Sequence, residues 1–375
     1  MLVALVATAF AAAPPPIING EAADASLYPM TGGLLFSGYI DMGRYGAMQY
    51  DGLLCSSTLI APDVLLVAAH CLDPDTLTSG YGTVSNTEFR WSRQADLTEW
   101  DGSQTLTAWP DDAVQAWDWV FNPDFDLFSM GAGIGENSDV GLVFLDTPVL
   151  DVDPAVLITE AEADQVVEGA DVAIVGWGQQ NAKSQPAPGT FAEKMWGMST
   201  LGEVGDAEML VGPTRDSVRK CHGDSGGPTF MDVTTDSPVV MRQIGITSHA
   251  YDDSDCKSVG GVDTRVSAYL EWIDSEMRAR CEDGTRVWCD VPGILPPPGG
   301  EDTGTPDDTG SGDTGGGDTG GADTAAGEDS GGGGGNGDTA GEPPTGGCGC
   351  NDAPSPVTAA LALAPLLLLA KRRRG

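Results

Sequence analysis

The sequence predicts a β-rich globular domain closed by one helix, followed by a disordered linker and a short apolar tail. Three observations carry that reading. The short β-rich runs Leu53–Ile60 and Val64–Ala68 flank Ala61-Pro62-Asp63, a turn signal. Val266, Leu270, Ile273 and Met277 recur at helical spacing, which places an amphipathic helix over 266–279. Residues 292–347 are rich in Gly, Asp, Thr and Pro, with too little apolar surface to bury, and are expected to stay disordered.

The length, 375 residues, suits one large domain or two ordinary ones. Eighteen Lys and Arg face 56 Asp and Glu, for a formal net charge of −38. Residues 298–347 hold 11 acids and no base, and residues 348–375 hold one acid and four bases, so −30 falls on residues 1–297. The folded part is itself acidic. Such a surface repels phosphates, which excludes nucleic acid and unaided binding to anionic lipid. The apolar content of 41% excludes wholesale disorder. No interior segment is long and apolar enough for a membrane-embedded protein.

The two ends have their own logic. Met1–Ala13 is a short apolar run ending in small residues, with Ala11-x-Ala13 as a candidate signal-peptidase site and no Lys or Arg before it. Residues 14–16, Pro-Pro-Pro, then form a short propeptide. At the other end, Val357–Ala370 is almost wholly apolar and Lys371-Arg-Arg-Arg374 follows. Fourteen residues fall short of the ~20 that span a bilayer comfortably, and the basic cluster should stay cytoplasmic. With Cys348-Gly-Cys350 before it, the segment 348–375 resembles the C-terminal sorting signals of myxobacterial surface proteins. That resemblance implies processing by a sorting protease and surface attachment or release. The linker would span about 40 Å as a flexible coil. It repeats Asp-Thr-Gly at 302, 308, 313 and 318, without an apolar strand to hold a catalytic carboxylate.

The chemistry lies in residues 17–291. The run Val64–Ala68 leads into Ala68-Ala-His-Cys71, and Gly223-Asp-Ser-Gly-Gly-Pro228 stands far downstream. Glycines around a serine let the backbone turn sharply and present the hydroxyl beside free N–H groups. A serine hydroxyl needs an adjacent base, and the base an orienting acid. With three histidines in the chain, His70 is the natural base.

These motifs, in this order, resemble the trypsin/chymotrypsin family of serine endopeptidases over about residues 17–275. The resemblance implies two packed six-stranded antiparallel β-barrels. It implies that His70 is the general base, Ser225 the nucleophile, and Asp139 in Asn137-Ser-Asp-Val-Gly-Leu-Val-Phe-Leu145 the acid. Asp124 and Asp126 stand nearby, but Asp139 alone is followed by an apolar strand. The N–H groups of Gly223 and Ser225 would form the oxyanion hole. Disulfides Cys55–Cys71, Cys221–Cys256 and Cys281–Cys289 are implied, and they need an oxidising compartment. Val172–Gly178 resembles a strand of the second barrel, and Ile244–Ser248 the strand that pairs with substrate backbone.

Ile17-Ile-Asn-Gly20 resembles the family's mature N-terminus, whose ammonium pairs with the Asp before the nucleophile, here Asp224. Activity is then expected to need cleavage before Ile17, and the preceding prolines exclude a trypsin-like activator. The expected pocket residues are Arg219, His222, Ser248, His249, Ala250, Gly261 and Asp263. Arg219 stands where trypsin has Asp. It would favour an acidic residue at the cleaved position, or, neutralised by Asp263, a small or polar one, or else point away to solvent. His70, His222 and His249 fall around one cleft. They suggest subsite-lining side chains rather than a zinc site, and Asp252–Asp255 solvated charge rather than a calcium site. No cofactor or metal is expected. The expected protein is an exported monomer acting on polypeptides, sorted to the cell surface or secreted. A catalytically silent binding module on the same fold is the alternative.

Overall fold

The structure is a computed structural model and describes residues 16–102, 108–180, 191–233, 241–252 and 256–296. The readings placed on 1–15 and 297–375, the signal segment and the sorting tail, lie outside the described residues. So do 253–255 of the acidic loop.

Two closed antiparallel barrels account for twelve strands. After a two-residue strand, β1 (Glu21–Ala22), the first barrel comprises β2 (Thr31–Asp41), β3 (Ala47–Ala61), β4 (Val64–Val67), β5 (Thr83–Ser92), β6 (Val114–Phe121) and β7 (Gly141–Leu145). Its order is β2-β3-β4-β7-β6-β5, and β5 returns to β2. The second comprises β8 (Asp171–Gly176), β9 (Met195–Val204), β10 (Glu208–Val211), β11 (Pro228–Asp232), β12 (Met241–Ala250) and β13 (Gly261–Arg265). It runs β8-β9-β10-β13-β12-β11 and closes from β11 to β8. Closure removes the unpaired edges that an open sheet would expose.

Strands β4 and β7 are buried at every residue. That is why they read as continuous apolar runs rather than alternating ones. They pair in register from Val64↔Phe144 to Val67↔Gly141, so the segments leaving them, which carry His70 and precede with Asp139, lie at one end of the barrel. The closing helix is Leu270–Glu282, entered through a 3₁₀ turn over Val266–Tyr269. Val266, Leu270, Ile273 and Met277 are all buried, as their spacing requires.

The folded part runs past the expected start of the linker at 292. Asp274 Oδ1 accepts the Leu295 N–H at 2.8 Å, and Arg278 donates to the Leu295 carbonyl. Before this, Arg286 reaches the β3–β4 turn, where it forms a fully buried pair with Asp63 at 2.9 Å. Asp63 Oδ2 also accepts the Trp288 N–H at 3.0 Å. The disulfide Cys281–Cys289 closes the loop that carries Arg286.

Candidate active site

His70 lies just after β4, in a 3₁₀ turn tied back by the Cys55–Cys71 disulfide to β3. Asp139 is fully buried immediately before β7. Its Oδ1 accepts the His70 backbone N–H at 2.8 Å and its Oδ2 faces His70 Nδ1 at 2.7 Å. Two contacts from one carboxylate fix both the backbone and the ring, and leave Nε2 as the working nitrogen. Oδ2 also accepts the Ser248 hydroxyl at 2.5 Å, and Thr264 donates to the Asp139 carbonyl at 3.1 Å. Burial opposes charge on His70, but the Asp139 carboxylate outweighs it and raises the imidazole above its ordinary range. Burial likewise pushes Asp139 up, yet His70 and the Ser248 hydrogen bond hold it below the usual carboxylate range.

Ser225 is carried by the loop before β11. Ser56 on β3 accepts the Trp177 N–H at 3.0 Å and donates its hydroxyl to the Gly223 carbonyl at 3.0 Å. Its N–H donates to the Ser225 carbonyl at 2.8 Å. One serine next to Cys55 thus joins the serine loop to the strand whose disulfide holds the His70 turn. A Cβ at Gly226 would collide with the Ser56 carbonyl and stand 2.6 Å from Val67 Cγ2, so the loop lies directly against the end of β4. Gly223 has φ of 92°, and a Cβ there would run into Phe191. Among the described residues, no protein acceptor takes the Gly223 or Ser225 N–H.

Asp224 turns inward and is fully buried. It accepts the Gly178 N–H at 2.9 Å and the Cys221 N–H at 2.8 Å. Burial pushes its carboxyl up to about 6 against those two donors. Ile17 is also fully buried, and the Ile18 carbonyl accepts the Arg219 N–H at 2.9 Å.

The pocket residues do not pair as expected. The Arg219 guanidinium is covered by backbone carbonyls, those of Thr214, Arg215 and Ser217 on Nη1 and that of Cys256 on Nε and Nη2. Asp263 does not neutralise it. Its Oδ2 is taken by Lys220 Nζ at 2.8 Å and by the Thr229 hydroxyl at 2.6 Å, and Lys220 also donates to Thr229 at 2.7 Å. Arg219 is committed to its own loop, and 2% exposure leaves it buried rather than pointing to solvent. Ser248, His249 and Ala250 lie on β12 beside Gly261 and Asp263 on β13, with Ala250↔Gly261 and Thr247↔Asp263 in register. His222 lies at the Cys221–Cys256 disulfide, and its carbonyl accepts the Gln179 N–H at 2.7 Å. Among the described residues, His70 and His222 each gather with the sulfurs of a disulfide rather than with another histidine; those sulfurs are already bonded.

Lys220, Thr229 and Ser56 escaped the sequence reading. No local signal marks Lys220, which is buried only because Asp263 and Thr229 from other strands meet it.

The family model for trypsin matches residues 17–273. The chain belongs to the trypsin family. Among curated relatives, chymotrypsin of Phaedon cochleariae is 27% identical over 237 residues, 60% of this chain and 74% of the relative. Human kallikrein-9 is 25% identical over 242 residues, covering 62% and 84%. Trypsin of Phaedon cochleariae is 25% identical over 240 residues, covering 59% and 78%. Membership of this serine protease family supports a peptidase function.

Proposed function

We propose that this chain is a serine endopeptidase working through an acyl-enzyme. The observation that carries the reading is the buried Asp139 carboxylate gripping both the backbone and the ring of His70, beside a serine loop pinned to the same barrel. His70 Nε2 takes the Ser225 hydroxyl proton as Oγ attacks the peptide carbonyl. The oxygen of the tetrahedral intermediate then receives hydrogen bonds from the Gly223 and Ser225 N–H groups. The same proton passes to the leaving amine as the C–N bond breaks. Water, activated by His70, releases the acyl group and regenerates Ser225.

Activation fits the state of Asp224. A fully buried carboxyl stays raised to about 6 even with Lys220 and His222 pulling it down, so one more cation would stabilise its charged form. Cleavage before Ile17 would supply an ammonium at a residue already buried. In the uncut chain Ile17 has φ of 36°, costly for a β-branched residue, and cutting its N-terminal peptide bond abolishes that constraint.

At the cleaved position the reading favours small or polar uncharged residues. The Lys220–Asp263 pair is internally neutral, and Arg219 is held by carbonyls, so neither sign of charge is preferred. Three disulfides agree with export. A monomer delivered by Met1–Ala13 and sorted through Cys348–Gly375 to the cell surface completes the proposal.

The test is a fluorophosphonate probe on the chain with a free Ile17 amine, beside Ser225→Ala. Labelling confined to the parent supports the reading, and an unlabelled, folded parent overturns it.

A further inference from the structure

A hydrogen-bond chain leads from the triad into the second barrel. Ser248 has one hydroxyl hydrogen, and its 2.5 Å contact with Asp139 Oδ2 uses it. The next contact, Ser248 Oγ to His249 Nδ1 at 3.1 Å, therefore runs the other way, with Nδ1–H donating. His249 Nε2 faces the Gly133 carbonyl at 3.3 Å, and a carbonyl only accepts. Both ring nitrogens point at oxygens that need a hydrogen. Glu208 on β10 is fully buried with Oε1 3.9 Å from His249 Nδ1, and burial pushes its carboxyl above the usual range against the pull of His249. The other Glu208 contacts are neutral donors, the Gly135 N–H at 2.5 Å and Asn137 Nδ2 at 3.2 Å. A buried carboxylate without a cation is expensive, which gives the His249–Glu208 pair a reason to exist. The His249 side chain is only 10% exposed, so its ring is committed inward.

We propose that His249 is a positioning residue for the triad. It donates from Nδ1 to Ser248 and so locks the Ser248 hydroxyl onto Asp139, with the buried Glu208 carboxyl on the far side of the contact. The inference rests on the endopeptidase reading. Its physical basis is competition for one hydrogen. A bare Nδ1 lone pair would draw the Ser248 hydroxyl away from Asp139. The carboxylate that aligns His70 would then be one donor short inside the protein.

The test compares the mature full-length chain with His249→Phe, which removes the donor, and His249→Asn, which keeps an N–H near the place of Nδ1. Steady-state rates on one short ester substrate are measured with the ring ¹⁵N spectrum of the three histidines. His249→Phe should lower kcat about tenfold, the loss of roughly one hydrogen bond to a charged group, and leave KM nearly unchanged. His249→Asn should recover most of that loss. The parent spectrum should show a hydrogen on His249 Nδ1. An Nδ1 without hydrogen overturns the proposal whether or not the chain hydrolyses anything. So does a His249→Phe variant with parental kcat, or an Asn variant no better than Phe when all three melt together. A parent that carries the Nδ1 hydrogen yet hydrolyses nothing would support the His249–Ser248 bond and retire the endopeptidase reading instead.

Discussion

At His70, burial and charge contend. Burial favours the neutral imidazole, the Asp139 carboxylate favours the cation, and the carboxylate prevails. A general base works only when unprotonated. The acid limb of kcat/KM should therefore have its midpoint above the ordinary histidine value of about 6.5. Asp139→Asn should move the limb down and lower kcat on the order of 10⁴-fold. A parental limb at or below the ordinary value would mean that Asp139 is not ionised beside His70. Asp224 makes the opposite case, a carboxyl raised by burial from 3.8 to about 6. In the uncut chain the unfolded state ionises first as pH rises. The contribution of Asp224 to stability should be greatest below pH 3.8, decline between 3.8 and about 6, and lie about 3 kcal/mol lower above that. Cutting before Ile17 should abolish the decline by pairing the carboxylate. Urea titrations of cut and uncut chains that change identically with pH would sink the ammonium–Asp224 switch.

At the scale of elements, legibility followed how local each signal was. His70 and Ser225 sit in compact motifs whose glycines and cysteines have local reasons, and Asp139 stands before an apolar strand, where its carboxylate meets His70. The closing helix followed from four residues at one spacing, all buried. Lys220, Glu208 and Arg286 were not legible, because a charged side chain in sequence looks like a solvated one. Each is buried only because a carboxylate, ring or turn from a distant segment meets it. The strap after the helix shows the consequence. Arg286 pairs with Asp63 223 residues away, and neither is exposed. Arg286→Ala leaves that carboxylate buried with the Trp288 N–H, and should cost about 3–5 kcal/mol in denaturant unfolding. Asp63→Ala combined with Arg286→Met should recover much of the loss, since no charge is then stranded. A single Arg286→Ala variant as stable as the parent would show that the strap peels away without cost.

Over the whole molecule, charge decides which polypeptides approach. Residues 1–297 carry −30, while the pocket proposed to receive the cleaved residue is internally neutral. Long-range attraction and local recognition are therefore separable. A cationic peptide gains from the field during its approach, whatever residue it offers at the cleaved bond, and an anionic one is repelled. Salt screens the field over about 10 Å at 0.1 M but leaves buried pairs such as Lys220–Asp263 nearly untouched. Three peptides sharing one cleavage site, flanked by Lys, by Ser or by Glu, should consequently diverge at low salt. Raising salt to physiological strength should lower kcat/KM severalfold for the Lys-flanked peptide, raise it for the Glu-flanked one and leave the Ser-flanked one flat. The effect belongs in kcat/KM, because screening changes encounter rather than the bound chemistry. Equal salt slopes for all three would mean that the acidic charge is distributed away from the cleft and steers nothing.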